Sequence, residues 1–206
     1  MAVPTSGDPP PLSAAQTALF DTPHLGNVAA QETLRYRFER TGGDPLTDTV
    51  DEQILEIHPN GRKLVSFNFL SGEHHEFYPA VDDFAGNPIL MIYLEHDVRQ
   101  MKDQIGIAAA YFRDRFRDAL VDRAVVTPTT FVMDGKSHPA KRITVQPFST
   151  EQRLENVPSL RDKTYEFVVC DDAPGQLVEL GASMPADTAR GAPAWSERLT
   201  FTGETK

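Results

Sequence analysis

Cysteine is nearly absent: Cys170 stands alone in 206 residues, which excludes an intrachain disulfide and any zinc site built on several cysteines. Asp171 and Asp172 follow it and disfavour the thiolate that a nucleophile needs, so Cys170 reads as a small core residue. No apolar run approaches the roughly 18 residues of a membrane span. Positive charge is scarce too, with 20 Lys and Arg against 30 Asp and Glu and a formal charge of −10. That balance repels a phosphate backbone, and the one basic concentration, Arg113, Arg115 and Arg117, is interrupted by aspartates, so nucleic acid is not an expected partner. Also missing are the G-x-S-x-G elbow, the Walker loop and G-x-G-x-x-G, which leaves nucleophilic catalysis and nucleotide cofactors without a motif. No cofactor and no metal is expected.

What is present is a chain long enough for one domain with a sizeable core, and its 40% hydrophobic and 24% charged residues are globular values. Residues 87–120 are its organising stretch. Asn87 offers a cap and Pro88 a first helical residue whose missing donor costs nothing. Leu90, Leu94, Val98, Met101 and Ile105 then share one helical face, while Ile89, Met91, Ile92 and Tyr93 make the first turns apolar nearly all round. Gly106 ends this helix, and a second is predicted over 107–120 with Ala108, Ala109, Phe112, Phe116, Ala119 and Leu120 on one face. Arg113 and Arg115 flank that face, where long basic side chains lay their stems on apolar surface and keep their heads wet.

Around this pair the period is two. Residues 1–12, with four prolines, read as an unpacked tail; Ser13 caps a short helix reaching about Phe20. Strands are predicted over 33–39, 47–58 and 63–70, the last two joined through Pro59-Asn60-Gly61. A short fourth strand begins at Phe77-Tyr78, before a linker over 79–86. After the helices come 129–133 and 140–148 around an Asp134-Gly135 turn, then 163–170, 176–180 and 198–202, with a mobile loop over 187–193. The expectation is an α+β protein: an antiparallel sheet of about seven to nine strands with the grouped helices on one face.

Few clusters point to chemistry. Glu73-His74-His75-Glu76 has metal-binding residue types, but adjacent strand residues face opposite ways, so an exposed turn is the simpler reading. His96 lacks a second ligand three or four residues away. Asp82-Asp83 and Asp171-Asp172 lie beside turns, where carboxylates cap or are solvated. Asp97, at the edge of the apolar stripe, needs a cationic partner if buried, and Arg113 or Arg115 on the next helix is the expected one.

This order of elements, a short N-terminal helix, a run of hairpins, a central helix pair and a second run of strands, resembles the LolA/LolB lipoprotein-carrier fold over most of residues 13–202. The segment Tyr111-Phe112-Arg113-Asp114-Arg115 is also similar to part of a group of uncharacterised bacterial proteins, which implies no activity. The carrier resemblance implies an incomplete barrel whose concave side holds the helices and shelters acyl chains. It carries over no functional residue position by position. On it rests the expectation of a single domain over 13–206, a monomeric, non-enzymatic carrier for a hydrophobic or lipid-like, anionic ligand, held between sheet and helices. Leu90, Met91, Leu94, Phe112 and Phe116 would line that site and Arg113 and Arg115 would meet the head group. The same resemblance implies a periplasmic location if a signal peptide has been removed, with the cytoplasm as the alternative. Two other classes stand beside this reading: a solid-core module that docks a protein partner, and a cofactor-free enzyme using His96 and Asp97.

Overall fold

The computed structural model describes residues 11–205; of the tail expected over 1–12, residues 1–10 lie outside the described residues. Two antiparallel meanders build the sheet. The first is β1 (Thr33–Thr41), β2 (Leu46–Ile57), β3 (Lys63–Phe69) and β4 (Val81–Phe84); the second is β5 (Val125–Met133), β6 (Lys136–Val145), β7 (Thr164–Val169), β8 (Leu177–Met184) and β9 (Trp195–Thr205). β1 pairs with β9 and fuses them into one open nine-stranded sheet of order β4-β3-β2-β1-β9-β8-β7-β6-β5. Alternation explains its buried face: Leu34, Tyr36 and Phe38 are fully buried while Arg35 and Arg37 face outward. Bulges at Arg35/Tyr36, Ile54/Glu56 and Val168/Val169 add local twist that bends the sheet around its core. Asp134 and Gly135 take φ of 52° and 73°, the paired positive values of a type I′ hairpin.

The fourth strand is not where the sequence suggested. Phe77 is exposed, Tyr78 turns inward to donate to Glu76 at 2.7 Å, and only Glu76 bridges to Phe69. β4 forms instead inside the expected linker, where Asp82 and Asp83 keep an edge strand charged and short.

α2 (Ile89–Ile105, 17 residues) and α3 (Ala109–Asp122, 14 residues) carry the chain from edge strand β4 to edge strand β5. Nine strands span about 38 Å and the helices together about 46 Å, so the pair is long enough to stride across the sheet. Asn87 Oδ1 accepts the Ile89 N–H at 3.0 Å, and its Nδ2 donates to Gly175 O at 3.0 Å, which fixes the start of α2 to the turn before β8. Gly106 ends α2 in the left-handed region at φ 74°. Tyr93 Oη donates to Glu197 O of β9 at 3.1 Å, so α2 lies over the seam between the meanders.

The N-terminal segment is held just as firmly. Ser13 makes a capping box with Gln16, and its Oγ donates to Leu120 O at the end of α3 at 2.7 Å. α1 (Ala14–Gln16) then widens into a π turn over Thr17–Asp21. Neutral His24, its pKa lowered by burial, donates from Nε2 to Ala18 O at 2.8 Å. Buried Lys63 donates to the carbonyls of Leu25 and Val28. The loop expected to be mobile over 187–193 is tied down: Arg190 donates to Asp187 Oδ2 at 2.8 Å and to Asn156 O at 2.5 Å.

Candidate functional site

A cavity of about 520 Å³ opens between the N-terminal segment, α2 and α3. Its walls are Phe20 from the π turn, Met91, Leu94 and Val98 from α2, and Phe116 and Leu120 from α3. Tyr165 of β7 and Asp97 lie at its inner side, and Leu12 and Met91, both about half exposed, stand at its mouth. The cause is local. α2 turns Ile89, Tyr93 and His96 fully into the protein, which leaves the next column, Leu94 and Val98, to face α3 and the N-terminal segment.

Of the residues expected to bind a ligand, Met91, Leu94, Arg113 and Phe116 border this cavity. Leu90, Phe112 and Arg115 do not: Leu90 is buried in the core, Phe112 packs edge-on to Phe148 at 5.7 Å, and Arg115 pairs with Asp118 and Glu151. The cavity is bordered mainly by helices and the N-terminal segment, with Tyr165 of β7 its one residue from the sheet. Leu12, Phe20, Leu120 and Tyr165 were not anticipated. A short N-terminal helix announces an apolar edge but not the surface it packs on.

No protein-family model and no curated protein matches the sequence. Among solved structures the chain is similar to the lipoprotein LppX of Mycobacterium tuberculosis, at 10% identity over 86% of this chain and 87% of that one, with a TM-score of 0.33. It is also similar to a chain of the Pseudomonas aeruginosa MucA/MucB complex, at 13% identity over 88% of this chain and 54% of that one, with a TM-score of 0.39. Scores of this size give a loose likeness of architecture and fix neither family nor activity.

The charges at the cavity are largely spent on one another. Arg113 grips Glu95 with Nε at 3.0 Å and Nη2 at 2.8 Å, and Arg117 holds Asp114 at 3.1 Å. Asp97 does not pair with Arg113 or Arg115 as expected. It points toward the sheet, accepting from buried Lys163 on one oxygen and from Tyr165 Oη at 2.5 Å on the other. Burial, then the Asp97 charge, pushes the Tyr165 phenol well above its usual pKa.

His96 and Asp97 cannot serve as an open acid–base pair. His96 is 1% exposed, with Nδ1 2.7 Å from Glu76 Oε1 and Nε2 3.1 Å from Glu197 Oε1. Burial alone would lower its pKa, but the hydrogen bonds and charges of Glu197 and Glu76 outweigh it and raise the pKa to about 9. Gln100 Nε2 also approaches His96 Nε2 at 2.7 Å; two N–H groups cannot face one another, so with the imidazolium the amide presents its oxygen. Arg40 completes the cluster by donating to Glu197 at 2.9 Å, giving two cations and two carboxylates that link β1, α2, β9 and the segment after β3. His74, by contrast, lies exposed in a short turn, and no group of three metal-ligating residues occurs among the described residues.

Proposed function

We propose that the protein is a non-enzymatic carrier that shelters a hydrophobic, lipid-like small molecule in the cavity between its N-terminal segment, α2 and α3. The observation that supports this is the cavity itself, about 520 Å³ and walled by Phe20, Leu94, Val98, Phe116 and Leu120. That volume falls within the roughly 300–1,000 Å³ of small-molecule sites. An anionic head group is the finer part of the reading. It would meet Arg113 and Arg117 only by competing with Glu95 and Asp114, and exposed pairs of that kind are worth about 0–1 kcal/mol. The carboxylate is therefore expected to add little to what the chain contributes.

Displacement of a fluorescent fatty acid, followed alongside native mass spectrometry, tests this. Leu94→Phe, which puts a ring into the cavity, is expected to weaken binding at least about tenfold while the thermal melt stays cooperative. The matching fatty alcohol is expected to bind within about tenfold of the acid. Absence of saturable binding by the unaltered protein, or equal binding by Leu94→Phe, would sink the carrier reading.

A further inference from the structure

A second cavity, about 630 Å³ and open to solvent, lies on the other side of α2, bordered by the last turns of that helix, by α4 (Pro158–Arg161) with its flanks, and by the β8–β9 connection. Met101, Ile105, Leu160, Met184 and Trp195 give it apolar walls. Its charge differs from that of the first cavity. The first is bordered by Asp21, Glu95 and Asp97 against Arg113 and Arg117, whereas the charged residues of the second are Lys163 and Arg190 against Asp97 alone. Arg190 is already paired with Asp187 at 2.8 Å, so the charge that sets this cavity apart is the one on Lys163.

Lys163 is the group that points to a ligand. Its side chain is 2% exposed, yet an ammonium has three N–H donors and Asp97 is its one hydrogen-bond acceptor among the described residues. The remaining donors have aromatic faces beside them, with Nζ 4.7 Å from the Trp195 ring and 5.4 Å from the Tyr165 ring. Ring faces compensate only part of what a buried ammonium loses on leaving water. Asp97 cannot offer more, because its other oxygen is taken by Tyr165. A further acceptor arriving from the cavity would complete the set, and beside a buried ammonium a charged acceptor gains most.

We propose that this second cavity is a binding site for a small carboxylate with an apolar body. Its carboxylate takes the free donors of Lys163, Arg190 at the rim favours entry of an anion, and the body packs between Met101, Met184 and Trp195. Asp97, which borders both cavities, separates this site from the first. The inference does not depend on the carrier reading.

Trp195 is the single tryptophan of the chain, so its fluorescence reports on this cavity directly. Titration with phenylacetate is expected to give a saturable change, and the uncharged phenylacetamide to bind at least about tenfold more weakly. Lys163→Met, checked for folding by circular dichroism, is expected to abolish the change. Arg190→Gln, on a half-exposed side chain, also breaks the pairs with Asp187 and Asn156 and is checked by the same circular dichroism; it is expected to weaken the change several-fold and keeps the test decisive if Lys163→Met does not fold. Leu94→Phe in the first cavity is expected to leave phenylacetate binding unchanged. No saturable change up to about 10 mM, equal affinity for the amide, or loss of binding in Leu94→Phe overturns the proposal.

Discussion

At the scale of single residues, the buried ionisable groups decide how stability responds to pH. Glu52 of β2 is fully buried, and neither carboxyl oxygen has a hydrogen-bond partner among the described residues. Burial pushes its pKa from 4.5 to about 8, against a smaller downward pull from the Ile89 and Asn87 amides. Between those values the folded protein holds a proton that the unfolded chain releases, so stability falls as pH rises, by as much as about 1.4 kcal/mol per pH unit. His96, raised to about 9, works in the same direction at higher pH: its pairing contributes fully below about 6.5 and is lost as pH climbs through 9. Glu76 and Glu197, both with lowered pKa, give stability that is lost only on acidification. Between pH 5 and 6.5 Glu52 pulls stability down as pH rises, while His24, held neutral by burial where the unfolded chain takes up a proton, pulls it up. Urea unfolding of Glu52→Gln is expected to show stability rising with pH across that window, a slope more positive than that of the unaltered protein by as much as about 1.4 kcal/mol per pH unit; an unchanged slope would show that Glu52 ionises normally.

At the scale of elements, the turn between β1 and β2 is the tightest join. Gly42 sits at φ 77°, and a Cβ there would lie 2.1 Å from Ala194 O, a backbone atom just before β9. Gly43 also has positive φ, at 63°, but a Cβ there meets open space. Alanine at position 43 pays only the left-handed strain, about 1–2 kcal/mol, whereas alanine at 42 must also push two backbones apart. Gly42→Ala is expected to cost at least about 2 kcal/mol, and more than Gly43→Ala, by the shift in urea midpoint. Equal losses would mean that the β8–β9 connection yields freely. Elements of this kind were partly readable in advance. Leu34, Tyr36 and Phe38 advertise β1 by alternation, and Asn87, Pro88 and Gly106 bracket α2 because caps act on their own neighbours. Lys163 as the partner of Asp97 was not, since the two stand 66 residues apart and meet only because β7 passes beneath α2. Nearness in the chain points instead to Arg113 or Arg115, but Asp97 is turned toward the sheet and both arginines pair elsewhere.

At the scale of the whole molecule, the two edges of the open sheet are unequal. β4 is short and carries Asp82 and Asp83; β5 runs over nine residues without a charge, and its Val125 and Val132 are exposed. Pro128 removes one ladder donor, but the rest of that edge is a template for another strand, the surface a protein-docking role would use. Analytical ultracentrifugation is expected to show concentration-dependent association that Val132→Lys suppresses without loss of fatty-acid binding. A protein that stays monomeric at every concentration would leave the edge without that role. The edges follow from strand order, and periodicity is silent about order. It identifies strands and their inward faces, but not that β1 finds β9, nor that hollows are left on two sides of α2.

That central pairing of β1 with β9 has a consequence for how the chain is made. A ribosome delivers β1 among the first strands and β9 last among those described, yet they are neighbours in the middle of the sheet. Until β9 emerges, the inner flank of β1 lacks its hydrogen-bonding partner, and Tyr93 and His96 of α2 lack the strand they fasten to. The fold is thus completed at its centre, and during synthesis the part most exposed to wrong pairing is the seam, not the rim.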